Sequence, residues 1–485
     1  MRKLVALLIT ALLITGVSAW TASAAKEPTR YSVTADDIRE PREFWYGLYT
    51  GDKKIGFASL KLSRAEMDGI AGYKMDMEIR MKVVSMAKQV DMAMVFEYFY
   101  DPQPPFPMRM GRFSMKQEGS DLVMTVTRHG DGFKAVQVSA GQKLELDLPN
   151  IDYALADDLT MELFFRRGPK VGDEIAVHTF IIPELKLETE GARVKEIKEA
   201  FVDGVKLRYY DVEMSSGELE NFGIARMDEQ GRMLSGFFGA QIELRMEPEE
   251  LARQIEYSAD LFVLGMVKVD RPLGNPIAIK HLVLDVTGPE NLELETRTRQ
   301  VVEPLQGGGY RVTIGPDQPT LKAKPGEREE NLKETVDYPI SHPLVRDLAR
   351  QAVGDARDDA EKVLRLAEFV DKFLEDAMVP ENSTVFNLLK TKRGDCTEHA
   401  LLFAALARAA GIPAREAGGL TYMGDAVQAF GGHAWDEVIL DGQWVPVDTV
   451  LGVKGVNPTL LNLGDELSVF KYLGLLKIKV VDIRK

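Results

Sequence analysis

Two stretches of the 485-residue sequence decide the fold of its C-terminal part: RGDCTEHALLFAALARAAGIPAREAGG at residues 393–419 and GGHAWDEVILDGQWVPVDT at residues 431–449. The first predicts a helix, because Asp395 is a suitable N-cap and Glu398, three residues later, completes a capping box. Apolar residues then recur at helical spacing as far as a Gly-Ile-Pro stop signal. Cys396, the only cysteine of the chain, therefore lies in the first turn, where the helix dipole favours the nucleophilic thiolate.

The second stretch predicts a β-hairpin, because residues 433–440 and 443–449 are strand-like runs joined by the turn dipeptide Asp441-Gly442. A two-residue turn there places opposite each other residues whose numbers sum to 883. Strand side chains alternate between faces. One face of the hairpin should therefore carry His433, Trp435, Trp444, Pro446 and Asp448.

Within this register, Asp448 is the diagonal neighbour of His433, at a Cα spacing of roughly 7–8 Å that an imidazole and a carboxylate can bridge. Cys396, His433 and Asp448 thus form a candidate nucleophile, base and orienting group. His399, three residues after Cys396, competes for the role of base, but we interpret it as a supporting or helix-packing group. A zinc site at Cys396 and His399 is disfavoured, because no cluster of further cysteines or histidines supplies the remaining ligands.

The order Cys, His, Asp and the flanking residues resemble the catalytic core of the transglutaminase-like superfamily. GDC opens a helix that continues as EHALLFAALARAAGIPAR, GGHAW lies on the first strand, and WVPVD lies on the second. The resemblance covers roughly the last quarter of the chain. It implies an α+β, papain-like fold in which a helix with Cys396 packs on an antiparallel sheet with His433 and Asp448. It also implies that Cys396 attacks an acyl carbon, His433 shuttles protons and Asp448 orients His433.

The N-terminus predicts export. Residues 1–24 have the basic start, apolar run and Ala-Ser-Ala end of a cleaved signal peptide, so we expect a periplasmic or secreted protein without stable membrane insertion. Residues 25–41 are polar and predict a linker. The formal net charge of −15 argues against a nucleic-acid partner. A single cysteine in an exported chain forms no internal disulfide and indicates a reactive thiol.

Three further domains are predicted: an antiparallel β-rich domain at 42–257, a small β-sandwich-like domain at 268–325, and a transglutaminase-like catalytic domain at 335–485. The charged segment 320–336 predicts a linker, and 359–378 an amphipathic helix. In the β-rich domain, apolar residues alternate with charged ones, and we interpret its methionines as core filling rather than as copper ligands. The alternating set is Tyr73, Met75, Met77, Ile79 and Met81.

A Cys-His-Asp site performs acyl transfer. The sequence favours a cysteine peptidase or amidase acting on protein or peptide amide bonds, with no cofactor and no metal. Two alternatives stay open: a protein-crosslinking transglutaminase, and a binding or scaffold protein with an inert core. Because the β-rich domain is longer than the catalytic core, we expect it to bind a protein partner.

Overall fold

The computed structural model describes residues 27–38, 42–85, 88–117, 120–202, 205–216, 219–238, 242–257, 259–260, 265–289, 292–377, 384–450, 459–464, 472 and 474–485. The predicted signal peptide at 1–24 lies outside the described residues. The chain divides into two compact units, Met1–Ala259 and Asp260–Lys485. The protein is α+β, as the sequence predicts. Among the described residues, no helix is long and apolar enough to cross a membrane.

The first unit is built on one antiparallel sheet of long strands in the order β8-β7-β6-β5-β4-β3-β2-β1-β14-β13-β12-β11-β10-β9. Almost every strand pairs with its neighbour in sequence, and β1 with β14 is one of the long-range pairs. The bounds are β1 (Arg42–Thr50), β2 (Lys53–Met67), β3 (Ile70–Ser85), β4 (Lys88–Tyr100), β5 (Met108–Gln117), β6 (Ser120–His129), β7 (Gly132–Ser139), β8 (Gln142–Leu148), β9 (Glu174–Ile181), β10 (Lys186–Val202), β11 (Val205–Ser216), β12 (Leu219–Asp228), β13 (Met233–Phe238) and β14 (Ile242–Met246).

Helix α1 (Leu155–Arg166) packs against β9, and a short helix α2 (Glu249–Ala252) follows β14. Tyr73, Met75, Met77, Ile79 and Met81 on β3 are all at most 5% exposed, whereas Lys74 and Arg80 between them are not buried. Alternation along β3 therefore separates a core face from a polar face, as the sequence pattern predicts. The methionines fill this core.

The second unit contains a five-stranded antiparallel sheet and a four-stranded one. The first has the order β16-β23-β22-β25, with β24 paired to β23; the second has the order β18-β19-β17-β26. Strand β15 (Ala259–Asp260) lies at the boundary of the units. The other bounds are β16 (Val267–Lys268), β17 (His281–Thr287), β18 (Gln300–Pro304), β19 (Tyr310–Ile314), β20 (Glu375–Asp376), β21 (Arg393–Gly394), β22 (Ala414–Tyr422), β23 (Ala429–Leu440), β24 (Gln443–Val447), β25 (Leu461–Gly464) and β26 (Lys477–Arg484).

Helix α7 is the hub of this unit, because it contacts β22 and β23 on one side and three other helices elsewhere. Its residues from Glu398 to Arg408 are all buried. The helices are α3 (Glu327–Glu330), α4 (Pro343–Val353), α5 (Asp359–Phe373), α6 (Val385–Thr391) and α7 (Cys396–Ala409). The predicted helix at 359–378 is too long: α5 ends at Phe373, because the chain then turns into β20, which pairs in parallel with β21.

Both predicted linkers are packed against their units. In the first, Arg30 forms an ion pair with Asp157 of α1, and Val33 and Ile38 are buried. In the second, Trp444 donates to the carbonyl of Leu321 through its amide and to the carboxylate of Glu327 through its indole nitrogen. These partners lie more than 100 residues away in the sequence. The contacts therefore cannot be predicted from the polar composition of the two segments.

One hydrophobic core joins the segments predicted as separate domains at 268–325 and 335–485. It includes Leu282 and Val312 from the first segment and Leu420, Phe430 and Val480 from the second. The last strand, β26, pairs with β17 along its length. The second unit therefore presents its site from a scaffold that both segments build.

Candidate active site

Cys396 is the first residue of α7, and the N-cap predicted from the sequence is present. The carboxylate of Asp395 accepts from the amide of Thr397 at 2.9 Å, and the carboxylate of Glu398 accepts from the amide of Asp395 at 3.1 Å. These bonds form the capping box. The Cys396 thiol, which is half-buried, is thus fixed at the positive end of the helix dipole.

The segment before Cys396 is held from two further directions. Strand β21 pairs with β20, which places Gly394 opposite Asp376. A side chain at Gly394 would collide with Glu398, since an added Cβ would lie 2.4 Å from the Glu398 Cβ. His399 is fully buried, with its Nδ1 2.9 Å from the Asp395 carbonyl oxygen. This contact lies at the helix start, and the supporting role of His399 stays a prediction.

The predicted hairpin register is present. Leu440 pairs with Gln443, Ile439 with Trp444 and Glu437 with Pro446, so each pair sums to 883. Strand β24 ends at Val447, one residue before Asp448. The register nevertheless brings Asp448 to the diagonal position beside His433.

The three predicted site residues come together. His433 Nε2 lies 3.0 Å from Asp448 Oδ2, and the Cys396 thiol lies close enough to the same imidazole to raise its pKa. Asp448 is held in turn by the amide of Val450, which donates to its Oδ1 at 3.0 Å. His433 and Asp448 are 8% and 2% exposed. The carboxylate, imidazole and thiol therefore form a continuous chain that is largely shielded from solvent.

The imidazole of His433 is poised to carry a proton. Burial by itself would lower its pKa, but the hydrogen bonds and charges of Asp448 and Cys396 raise the pKa of His433 from 6.5 to about 10. His433 is therefore an imidazolium at neutral pH. Because the pKa is raised in the folded protein, His433 stabilises the fold fully below about pH 6.5. This stabilisation is lost as the pH rises through about 10.

Trp435 packs beside the imidazole, with ring centroids 6.2 Å apart and planes at 23°. Gly419 on β22 lies opposite His433 and makes room for this ring. An added Cβ at Gly419 would lie 2.8 Å from the Trp435 ring and 2.0 Å from the Leu461 carbonyl oxygen. Glycine is therefore required where β22, β25 and Trp435 converge beneath His433.

Two buried acids beside the site were missed by the sequence reasoning. Burial raises the pKa of Glu398 well above its ordinary value, and the charge of Asp395 acts in the same direction. Burial likewise raises the pKa of Asp436, with the charges of Glu416 and Asp448 adding to the effect. Neither carboxyl oxygen of Asp436 has a hydrogen-bond partner in the part of the chain that the structure describes. Strand alternation could have located Asp436, on the face opposite His433.

No metal centre emerges at the site. Within the described residues, no three histidine, cysteine, aspartate or glutamate side chains are grouped so as to hold a metal ion. The first amide of α7, that of Cys396, lies at a helix start, where backbone N–H groups lack partners within the helix. It is the natural donor to an oxyanion formed at the thiol.

One family model matches the region of the chain that holds this site. Residues 346–449 match the model described as the Transglutaminase-like superfamily. No curated protein matches the chain.

Three solved structures are similar to parts of it, all with TM-scores below 0.5. One, described as "a Putative Cysteine Protease from Cytophaga hutchinsonii", is 16% identical over 43% of this chain and 84% of that chain, with a TM-score of 0.27. A beta-barrel-like protein from Brucella abortus, a domain of unknown function, is 12% identical over 43% of this chain and 95% of its own, with a TM-score of 0.31. A "putative protease" from Parabacteroides distasonis is 13% identical over 87% and 70%, with a TM-score of 0.21.

Proposed function

Because residues 346–449 form a transglutaminase-like domain, we propose that the chain is a cysteine-dependent enzyme that hydrolyses amide bonds of proteins or peptides. Cys396 is the nucleophile, His433 the acid and base, and Asp448 the group that orients His433. The observation that carries this proposal is the chain of contacts from Asp448 through His433 to the thiol at the start of α7.

In the first step, the Cys396 thiolate attacks the carbonyl carbon of the amide, and the oxyanion accepts from the Cys396 amide. The imidazolium of His433 gives its proton to the leaving nitrogen, the carbon–nitrogen bond breaks, and a thioester remains. The pKa of about 10 supports this role, because it keeps the proton on His433 until the leaving amine needs it.

In the second step, water attacks the thioester and neutral His433 takes its proton. The carbon–sulfur bond then breaks, which releases a carboxylic acid and restores the thiolate. Hydrolysis is favoured over transamidation because water needs no binding site of its own, whereas a lysine amine must be positioned.

The reaction is tested by incubating the purified protein with a mixture of peptides, with and without a dansylated alkyl amine, and analysing the products by mass spectrometry. Peptides shortened at an internal amide would support hydrolysis. Peptides that gain the dansyl amine would support crosslinking instead. No product in either case, with Cys396 unreactive, would support the inert core.

Export is part of the proposal, because residues 1–24 have the composition of a cleaved signal peptide. The mature chain would then begin at Ala25. N-terminal sequencing of the protein from its native host should find that residue. A chain that retains Met1 would contradict export by this route.

For the first unit we propose a role in binding a protein partner.

A further inference from the structure

A small pocket opens on the same face of β23 as His433. Its volume is about 20 Å³, and its walls include Arg299, Gly315, Trp435, Glu437, Pro446 and Asn462. One water molecule requires about 10–15 Å³ of such a cavity. The pocket therefore admits one small polar group.

The polar side chains in the walls are already satisfied, with one exception. Glu437 accepts from Arg415 at 2.7 and 2.9 Å and from Asn462 at 3.4 Å. Thr298 bonds the backbone of Trp444 and Leu321. These groups therefore have no need of a ligand.

Arg299 is the exception. Its guanidinium has no hydrogen bond or ion pair with the part of the chain that the structure describes. Burial lowers the pKa of Arg299, and no neighbouring carboxylate contributes to the shift. A partly desolvated cation without a counter-charge is costly, because burial of a charge is ordinarily compensated by a partner. The half-buried guanidinium of Arg299 is thus a candidate binding site for an anion.

The backbone fixes Arg299 at this place. Arg297 and Gln300 exchange two hydrogen bonds at 3.0 Å, so Thr298 and Arg299 are the central residues of a tight turn. Arg299 has φ 61, in the left-handed region that favours glycine or asparagine. Its amide donates to Pro319 and its carbonyl accepts from Gly315. An arginine therefore occupies a turn position where local geometry favours a smaller residue.

The pocket lies within reach of a substrate bound at the thiol. Trp435 lines it and packs on His433, and Glu437 lies two residues further along the strand. At about 3.3 Å per residue, the pocket is roughly 7–13 Å from His433 along β23. An extended peptide covers that distance in about two to four residues.

We propose that Arg299 binds a carboxylate of the peptide substrate, two to four residues from the scissile amide, and thereby makes the enzyme selective for acidic peptides. Cleavage of such a peptide rests on the proposed hydrolytic function, whereas binding of its carboxylate by Arg299 does not. The guanidinium matches a carboxylate with two parallel hydrogen bonds. The carboxylate belongs either to a Glu or Asp side chain or to the C-terminus of the peptide.

The test measures binding to the Cys396→Ala protein, which cannot turn its ligand over. The probes are dansylated alanine hexapeptides with one Glu at each position in turn, each with a matched Gln peptide, and each with a free or amidated C-terminus. Fluorescence anisotropy gives Kd. In one register, the Glu peptide should bind about 10- to 100-fold more tightly than the Gln peptide. A preference that follows the free C-terminus instead would identify the terminal carboxylate as the ligand.

Arg299→Gln should abolish this preference, and Arg299→Lys should retain part of it, because lysine keeps the charge without the planar fork. The matched control is Arg297→Gln, which removes the same charge two residues away, where Arg297 pairs with Glu295. It should preserve the preference. Circular dichroism verifies that each variant is folded.

Equal Kd values for acidic and neutral peptides, a preference that survives in Arg299→Gln, or no binding of any peptide would overturn the inference. Turnover of the same peptides by the unmodified protein is scored separately. If acidic peptides bind selectively but are not cleaved, the inference about Arg299 holds and the hydrolytic function is wrong. If peptides are cleaved without a preference for acidic ones, the hydrolytic function holds and the inference about Arg299 is wrong.

Discussion

The two halves of the candidate site, the helix start at Cys396 and the strand pair that bears His433 and Asp448, are held together in different ways. The helix start depends mainly on hydrogen bonds among residues 395–399, which are close in sequence. The strand pair depends on neighbours from several strands, including Gly419 and Leu461. The nucleophile can therefore be located from its local sequence, whereas the geometry of the base requires the whole sheet.

Replacing Cys396 with Ala should cause the largest loss of activity, and it alters only the helix start of the site. Loss of a nucleophile costs about a million-fold in kcat in a comparable triad, while the small change in volume should leave the fold intact. Peptide hydrolysis and urea unfolding measure the two quantities. Cys396→Ser is the control with nearly the same shape. Turnover above 1% of the original in the Ala variant would contradict a nucleophilic Cys396.

Asp448→Asn should break the strand half with an effect of up to about 10⁴-fold in kcat, because the imidazole loses its preferred orientation. The pKa of His433 should also fall below about 10, since Asp448 is one of the groups that raise it. A pH–rate profile reports both changes as a lower plateau and an alkaline limb at lower pH.

Asp436→Asn is the matched control, on the opposite face of the same strand. Burial raises the pKa of Asp436 well above its ordinary value, and its carboxyl has no hydrogen-bond partner among the described residues, so the amide should leave the rate within a few-fold. An equal loss of kcat in both variants would show that the sheet tolerates no change at either position. That result would contradict a specific role for Asp448.

Gly419→Ala should perturb the strand half through packing alone. The added methyl group meets the Leu461 carbonyl oxygen and the Trp435 ring, and overpacking of this kind costs about 1–3 kcal/mol. Gly432→Ala, one strand away and with no atom within 4 Å of the new Cβ, is the control. Urea unfolding followed by tryptophan fluorescence should separate the two variants, and equal stabilities would contradict the close packing beneath His433.

Glu398→Gln should have the smallest effect at neutral pH, because burial raises the pKa of Glu398 well above its ordinary value and the Gln amide oxygen can still accept from the amide of Asp395. The raised pKa of Glu398 fixes the sign: its favourable contribution is fully present below about pH 4.5 and is lost as the pH rises. The Gln variant should therefore lose less stability than the original protein between pH 5 and 9. Parallel curves over this range would show that Glu398 is ionised in the folded protein.

Much of the site follows from local sequence, because its main signals span few residues. The capping box needs only Asp395 and Glu398, and the register needs only the Asp-Gly turn and strand alternation. Arg299 gave no such signal, since its pocket is closed by residues more than 130 positions away. The pairing of β17 with β26 and of β20 with β21, and the packing of the two predicted linkers, are long-range in the same sense. The charge and polarity of these segments suit solvent exposure as well as they suit the observed contacts.

The most direct test of the Cys396–His433–Asp448 assignment is the rate of Cys396 alkylation by iodoacetamide between pH 5 and 10, followed by intact mass spectrometry. An ordinary cysteine thiol has a pKa of about 8.5 and reacts slowly below that value. The imidazolium and the helix start should make Cys396 react rapidly at pH 6, and His433→Gln should remove most of that reactivity. A thiol that is labelled only above about pH 8.5, equally in both proteins, would contradict an activated nucleophile.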